Sequence, residues 1–173
     1  MIDNVGTCLT YNQTWNNRKE MQDVSTMKFV DKNFNSFTLE NEMKPDNMLN
    51  KKTTISVADA KAKGYVISDD YKESTVPELT LETIDGVLAI AKQHNIRMRA
   101  HTLMWHQQTP TWFFKKNYDD NEAVVDEATM NARLEFFVRT IMRHTMQKEK
   151  ELTGEVGSIV YACCLLYTSP SPR

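Results

Sequence analysis

Two clusters of polar side chains have residue types and spacing that could bind a hydroxylated ligand. The first lies in the stretch LENEMKPD and contains Glu40, Asn41, Glu42 and Lys44, so two carboxylates, an amide and an ammonium fall within five positions. These residues follow a predicted strand, residues 34–39, without an intervening turn residue. Carboxylates, amides and ammonium groups together can donate to and accept from hydroxyls. We interpret the stretch as a binding site, with a solvated loop as the alternative.

The second cluster, RMRAHTLMWHQQTP, begins in a strand predicted over residues 96–105. Alternation along this strand gives one face that packs under helices (Ile96, Met98, Ala100, Met104) and one that carries Arg97, Arg99, His101, Leu103 and Trp105. An indole ring beside hydrogen-bonding side chains suits a sugar, because its C–H face stacks on the ring while its hydroxyls meet the polar groups. A zinc site on His101 and His106 is less favoured, since alternation sends them in opposite directions and no third ligand has matching spacing.

Buried charges in this second cluster need partners, because an unpaired charge inside a closed sheet is costly. We therefore predict an ion pair between Arg99 and Glu42, which follows the neighbouring strand. For His101 alone, a satisfied core histidine is the simpler interpretation. Its aromatic and amide neighbours favour a ligand site instead.

The elements that must position these clusters alternate between strands and helices. Strands are predicted at 4–11, 34–39, 96–105 and 158–162, and helices at 18–32, 56–64, 81–94 and 126–147. Ser56 and Thr80 are the expected caps of the second and third helices. Such alternation predicts an α/β fold with parallel strands and helices packed outside. The first strand lacks the glycine-rich phosphate turn of a doubly wound sheet, and polar clusters at strand ends are typical of barrel enzymes.

The composition is that of an ordinary globular domain. The chain has 173 residues, a net charge of −2, 40% hydrophobic and 25% charged residues, so we expect neither a nucleic-acid partner nor a membrane partner. Three cysteines, two of them adjacent, give no disulfide framework and no metal site, and we expect no cofactor. The first residues, MIDNVGTCLTY, contain no signal peptide.

Together the two clusters resemble the motifs of glycoside hydrolase family 10, the endo-β-1,4-xylanases. The family pattern E-N-x-M-K is present at 40–44, and R-G-H-T-L-x-W-H-x-Q is present at 99–108 with Ala100 in place of glycine. The extra methyl group points to the outer face and should be tolerated. The stretch TPTWFF at 109–114 continues the similarity, which runs from about Val5 to Ala162.

This resemblance implies the N-terminal part, about three and a half βα units, of a (β/α)₈ TIM barrel that cleaves internal bonds of xylan with retention. The implied sugar-binding residues are Glu40 and Asn41 one subsite from the cut, Lys44, His101 and Trp105 at the cut, and Gln108 lining the cleft. The implied supporting residues are Glu42, Arg99 and His106. Xylan and xylo-oligosaccharides are the implied partners of a monomeric, extracellular parent protein. A non-catalytic sugar-binding module and a barrel glycosidase acting on another β-glucan are the alternatives.

The catalytic carboxyl groups are a separate matter. A retaining glycosidase needs two of them about 5–5.5 Å apart. In the family the first follows the fourth strand, in the pattern W-D-V-V-N-E, whereas here residues 158–162 are followed by CCLLYTSPSPR. The last ten residues resemble the in-frame translation of a transposase sequencing adapter, with a natural disordered tail as the alternative. We therefore expect residues 1–162 to be a partial catalytic domain, residues 163–173 to be an artefact tail, and both catalytic glutamates to be missing.

Overall fold

The computed structural model describes residues 4–13 and 16–167 and shows an α/β structure. The strands, in chain order, are β1 (Gly6–Leu9), β2 (Ser36–Leu39), β3 (Thr54–Ser56), β4 (Thr75–Pro77), β5 (Arg97–Ala100), β6 (Met104–Trp105), β7 (Val160–Cys163) and β8 (Leu166–Tyr167). The helices are α1 (Val24–Asn33), α2 (Pro45–Met48), α3 (Val57–Ala62), α4 (Glu82–Gln93) and α5 (Glu127–Thr153), with 3-10 turns at Glu20–Gln22, Thr111–Phe114 and Lys116–Tyr118.

The main sheet contains four parallel strands in the order β1-β2-β5-β7. Its register aligns Thr7 with Phe37, Phe37 with Met98, and Met98 with Val160. Each new strand of this sheet is therefore added beside the previous one, and its carboxyl ends all lie at one edge. This pairing confirms the predicted strand–helix alternation with parallel strands.

The core lies between this sheet and the helices that cover one of its faces. On α4 the apolar side chains recur every three or four positions, so Ile84, Val87, Leu88 and Ala91 form one buried stripe. The sheet contributes buried Met98, as alternation along its strand predicts. Each large apolar side chain buried in this way stabilises the fold by about 1.5–3 kcal/mol.

Helix α5 extends further than its sequence pattern predicts. Asp126 caps its first turn by accepting a hydrogen bond from the Thr129 backbone N–H at 2.9 Å. The helix continues to Thr153, six residues beyond the predicted end at 147, and stops where Gly154 adopts a left-handed φ of 88°. Glycine takes this conformation without the steric penalty of a side chain, which explains why the helix ends there.

Two predicted details of local structure are wrong. The strand predicted to Trp105 ends at Ala100, and β6 pairs with β8 outside the main sheet. Alternation therefore stops at Ala100, and Leu103 does not share a face with Arg99 as predicted, because Leu103 is buried and Arg99 is exposed. Thr80 does not cap α4 either, because its hydroxyl donates to Asn50 Oδ1 at 2.6 Å.

The predicted cap of α3 is confirmed, but the structure around α3 was only partly anticipated. Ser56 Oγ accepts from the Asp59 backbone N–H at 3.0 Å, and Gly64 follows the helix with a φ of 82°. The two short strands β3 and β4 form an antiparallel pair on either side of α3. The Thr80 backbone N–H donates to Met48 O at 2.8 Å, which closes the base of this excursion, residues 50–79.

Candidate functional site

The first polar cluster turns sharply out of β2 at the carboxyl edge of the sheet. Asn41 O accepts from the Lys44 backbone N–H at 2.8 Å, and Pro45 begins α2 directly afterwards. The Asn47 side chain adds a second hydrogen bond to Asn41 O, at 3.0 Å. These contacts fold the chain back on itself, so the side chains of residues 40–46 gather at the strand end rather than extending along a loop.

Glu40 belongs to a network of charged and polar groups with the loop after β1. Its Oε2 accepts from Gln13 Nε2 at 3.0 Å and from Arg18 Nη1 at 2.9 Å. Arg18 also pairs with Glu20, whose carboxylate accepts from the Thr10 backbone N–H. Gln13 and Arg18 were not predicted as site residues, and the polar end of the first predicted strand is the one sequence feature that points to them.

Glu42 is a buried structural anchor. Its side chain is only 2% exposed and accepts three backbone N–H groups, from Tyr11 at 2.6 Å, Asn12 at 3.3 Å and Asn41 at 3.1 Å. The predicted ion pair with Arg99 is wrong, because Arg99 is exposed and the Glu42 carboxylate is occupied by main-chain donors. Glu42 lies beyond the end of its strand, where alternation no longer determines which way a side chain points.

Lys44 connects the two polar clusters. Its Nζ donates to Asn41 Oδ1 at 2.8 Å and lies 4.8 Å from the centroid of the Trp105 ring. Burial lowers the pKa of Lys44, while the negative charges of Asp46 and Glu40 oppose that change. The Lys44 ammonium thus lies within contact distance of both an amide and an indole, which together are a suitable surface for a polyhydroxylated ring.

His101 lies close enough to this group for the Lys44 charge to affect the pKa of its imidazole. Burial is the main factor that lowers its pKa, and the positive charges of Arg99 and Lys44 lower it further. A neutral imidazole is therefore favoured at neutral pH, and such a ring both donates and accepts hydrogen bonds.

The loop after β6 holds the remaining predicted residues. The Trp105 and His106 rings meet edge to face with centroids 5.9 Å apart, and Thr109 Oγ1 donates to Trp105 O at 2.6 Å. Gln108 is fixed to the start of α2 by two hydrogen bonds. One runs from its Nε2 to Asp46 Oδ2 at 3.2 Å, and the other from the Asp46 backbone N–H to Gln108 O at 2.9 Å.

The structure therefore brings most of the predicted site residues to one edge of the sheet. The group comprises Glu40, Asn41, Lys44, His101 and Trp105, with Gln108 joined to it through Asp46. His106 is exposed at the rim, and Arg99 lies on the open face of the sheet. This arrangement can bind hydroxyl groups and stack on an apolar ring face.

Residues 4–13 and 16–167 provide neither a metal site nor a membrane-spanning helix. No group of three or more His, Cys, Asp or Glu side chains there is arranged to hold a metal ion. None of the helices in this part of the chain combines the length and apolar character needed to cross a membrane.

Known sequences similar to this chain are xylanases. The model described as glycosyl hydrolase family 10 matches residues 2–152. Endo-1,4-beta-xylanase A of Butyrivibrio fibrisolvens is 45% identical over 126 residues, which cover 72% of this chain and 31% of that protein. Endo-1,4-beta-xylanase Y of Acetivibrio thermocellus is 34% identical over 119 residues, which cover 69% of this chain and 9% of that protein. The chain thus spans about a third or less of the length of these relatives.

Known structures similar to this chain have the same fold. The CBM22-1–GH10 modules of the Clostridium thermocellum endo-1,4-beta-D-xylanase 10B, complexed with xylohexaose, match 98% of this chain and 27% of that chain, with 30% identity and a TM-score of 0.63. A psychrophilic glycoside hydrolase family 10 endo-beta-1,4-xylanase matches 98% of this chain and 39% of that chain, with a TM-score of 0.58. Its identity of 20% supports the shared fold alone.

Proposed function

This chain belongs to glycosyl hydrolase family 10, and from that premise we propose that it is part of an enzyme that hydrolyses internal β-1,4-xylosidic linkages of xylan. Its parallel α/β sheet is the corresponding part of a TIM barrel. The single observation that supports a sugar-binding role most strongly is the contact of Lys44 with both Asn41 and Trp105. That contact joins hydrogen-bonding groups to an aromatic ring at the edge where barrel enzymes bind their substrates.

Within this proposal each polar residue has a place along the bound xylan. Glu40 and Asn41 bind the sugar one subsite from the scissile bond, and Lys44, His101 and Trp105 surround the sugar at that bond. The network of Glu40 with Arg18 and Gln13 supports this role, because it holds the carboxylate in one position before the sugar arrives. Gln108 lines the cleft. Glu42, Arg99 and His106 are supporting residues.

We propose that the enzyme retains anomeric configuration and that both of its catalytic carboxyl groups lie outside this chain. Retention requires a carboxylic acid and a nucleophilic carboxylate about 5–5.5 Å apart, both reachable by the substrate. At the described site Glu42 is buried and occupied by three backbone N–H groups, and Glu40 is paired with Arg18. Neither matches the requirement, so residues 1–162 on their own should bind sugar without cleaving it.

We also propose that the parent enzyme is a monomer that works outside the cell, because its polymeric substrate is too large to enter. An indole and polar groups would also accept another β-glucan, so a glycosidase acting on such a polymer is the second candidate function. The xylan assignment is supported by the similarity to the endo-1,4-beta-xylanases of Butyrivibrio fibrisolvens and Acetivibrio thermocellus.

Titration calorimetry of the chain with xylobiose and cellobiose tests this function. We expect weak xylobiose binding, with a Kd of about 1 mM or higher because half of the cleft is missing, and no release of reducing ends from xylan. Trp105→Ala should abolish the binding, whereas Phe29→Ala, on the exposed face of α1, should leave it unchanged. Tight binding without hydrolysis would favour a binding module, and stronger binding of cellobiose would favour another β-glucan.

A further inference from the structure

The two outer strands of the main sheet each leave one edge unpaired. Within the part of the chain that the structure describes, the sheet ends with β1 on one side and with β7 on the other. A free edge exposes a row of backbone N–H and C=O groups that can pair with another strand. A (β/α)₈ barrel has twice as many parallel strands, so this sheet needs a second set of strands to close.

The helices that cover the sheet form a row whose ends match the ends of the sheet. Helix α4 contacts α1 through His94, whose Nδ1 lies 2.9 Å from Asp31 Oδ1. It contacts α5 through Asp85, whose Oδ1 lies 2.7 Å from His144 Nε2. Helices α1 and α5 therefore lie at the two ends of the row, beside the two free strand edges.

Apolar side chains are exposed at both ends of this layered structure. Beside β1, Val5 is 46% exposed and Phe29 of α1 is 61% exposed. Phe29 lies two positions before Asp31, about 200° around the helix, so it points away from α4. Beside β7, a cavity of about 380 Å³ has apolar side chains from three segments in its lining: Met104, Leu134, Val138, Leu165 and Leu166. Exposed apolar surface next to a free strand edge is typical of an interaction site.

The open face of the sheet carries two positive charges. The four strands of the main sheet contain Arg97 and Arg99 and no acidic residue. Both arginines are exposed and alternate with buried Met98 and Ala100, so they point away from the helices. Arg97 stacks on the Tyr161 ring, and neither arginine forms an ion pair with a described carboxylate. A surface that covers this face must bring carboxylates of its own, because a buried unpaired charge is costly.

The free edges and the charge together distinguish between two kinds of partner. A second copy of this chain has the right number of strands. However, it would bring its own Arg97 and Arg99 into the same enclosed space, with no acid on its strands to pair with them. A set of parallel strands with carboxylates on its open face fits both features. Relatives contain additional chain for such a set, because this chain covers only 39% of the psychrophilic family 10 xylanase.

We propose that this chain binds a separate polypeptide made of the remaining βα units of a family 10 barrel, and that the pair hydrolyses xylan. Strands β1 and β7 each pair with an outer strand of the partner, and its carboxylates face Arg97 and Arg99. Its outer helices cover Phe29 and the cavity beside β7. The inference rests on the proposed function, because the partner supplies the two catalytic carboxyl groups. In the reaction the xylosidic bond breaks, and water gives a proton to one product and a hydroxyl group to the other.

Co-expression of the tagged full-length chain with a segment of the Butyrivibrio fibrisolvens endo-1,4-beta-xylanase A tests the proposal. The segment is the part of that enzyme that follows its matched region. It should co-purify with the chain in equal amounts. The complex should release reducing ends from xylan at least about 100-fold faster than either polypeptide alone, since acid–base catalysis alone contributes about 10²–10⁴-fold. A stable homodimer of the chain without the segment would overturn the choice of partner.

Three variants test the contacts that the proposal assigns. Arg99→Glu should reduce recovery of the segment at least about 10-fold, because a carboxylate then faces carboxylates. Lys61→Glu makes the same charge change on the exposed side of α3 and should leave recovery unchanged. Phe29→Ala should weaken the pairing by about 10-fold, because it removes apolar area at the α1 end. Phe29 is exposed, so this variant serves if Arg99→Glu does not fold.

Each outcome separates the pairing from the function on which it rests. If the segment co-purifies but the complex does not cleave xylan, the pairing is supported and the xylanase function fails. If the segment never co-purifies, or does so equally with Arg99→Glu, Phe29→Ala and Lys61→Glu, the pairing is overturned. In that case, xylobiose binding that depends on Trp105 would still support the xylanase function.

Discussion

Removing the buried charge of Arg133 should destabilise the chain strongly. In Arg133→Met the side chain stays long and apolar, but the carbonyl groups of Phe113 and Lys115 lose their donors and Glu73 loses its cation. Breaking a buried ion pair from one side costs about 3–5 kcal/mol. Glu73 keeps 24% of its side chain exposed and can regain some hydration, which favours the lower half of that range.

Urea unfolding followed by tryptophan fluorescence measures this loss, since Trp112 lies in the segment that Arg133 holds. Arg139→Met on the same helix is the matched control. Arg139 is 55% exposed and forms an i,i+4 pair with Glu135, so its loss should cost no more than about 0.5 kcal/mol. If the chain itself is less stable than the predicted loss, Arg133→Met should be unfolded without urea while the control remains folded. Equal unfolding midpoints for the two variants would show that the buried contacts of Arg133 do not stabilise the fold more than a surface pair does.

Three further predictions follow from the site and its supports. Glu42→Gln should lower the free energy of unfolding in urea by about 1.5–3 kcal/mol, because it weakens a charge-assisted set of backbone hydrogen bonds. Arg99→Gln should lower it little, because Arg99 is exposed. Equal losses for the two variants would instead support an ion pair between Glu42 and Arg99. An NMR titration should give His101 a pKa below 6.5, so its contribution to stability should fall as the pH drops below that value; a pKa above 6.5 would contradict its burial among positive charges. Gly154→Ala should cost about 1 kcal/mol because its φ of 88° strains any side chain, and an unchanged midpoint would argue against that cap.

Periodicity in the sequence was enough to predict the parts of the fold in which burial determines the pattern. The buried stripe of α4 and the alternation from Ile96 to Ala100 both appear as predicted, because each apolar side chain there packs between sheet and helix. The antiparallel pair β3–β4 was not predicted, since strands of three residues are too short to show an alternating pattern.

The sequence was enough to predict which residues gather at this edge of the sheet, but not which hydrogen-bond partners they have. Glu40, Lys44 and Trp105 could be identified because their residue types suit a sugar and they follow predicted strands. The partner of Glu42 could not, because its three donors are backbone groups with no side-chain signature. Arg18 was missed for a different reason, since it reaches Glu40 from a loop 22 positions earlier in the chain.

The central claim is that this chain holds sugar-binding residues of a xylanase cleft while the catalytic carboxyl groups lie outside it. The most direct test is a single ¹H–¹⁵N and ¹H NMR experiment on the labelled chain mixed with xylohexaose, which reports binding and cleavage in the same sample. We expect the Trp105 indole resonance to shift and the anomeric signals of xylohexaose to stay unchanged with time. New anomeric signals from shorter products, or an unshifted Trp105 at saturating sugar, would contradict it.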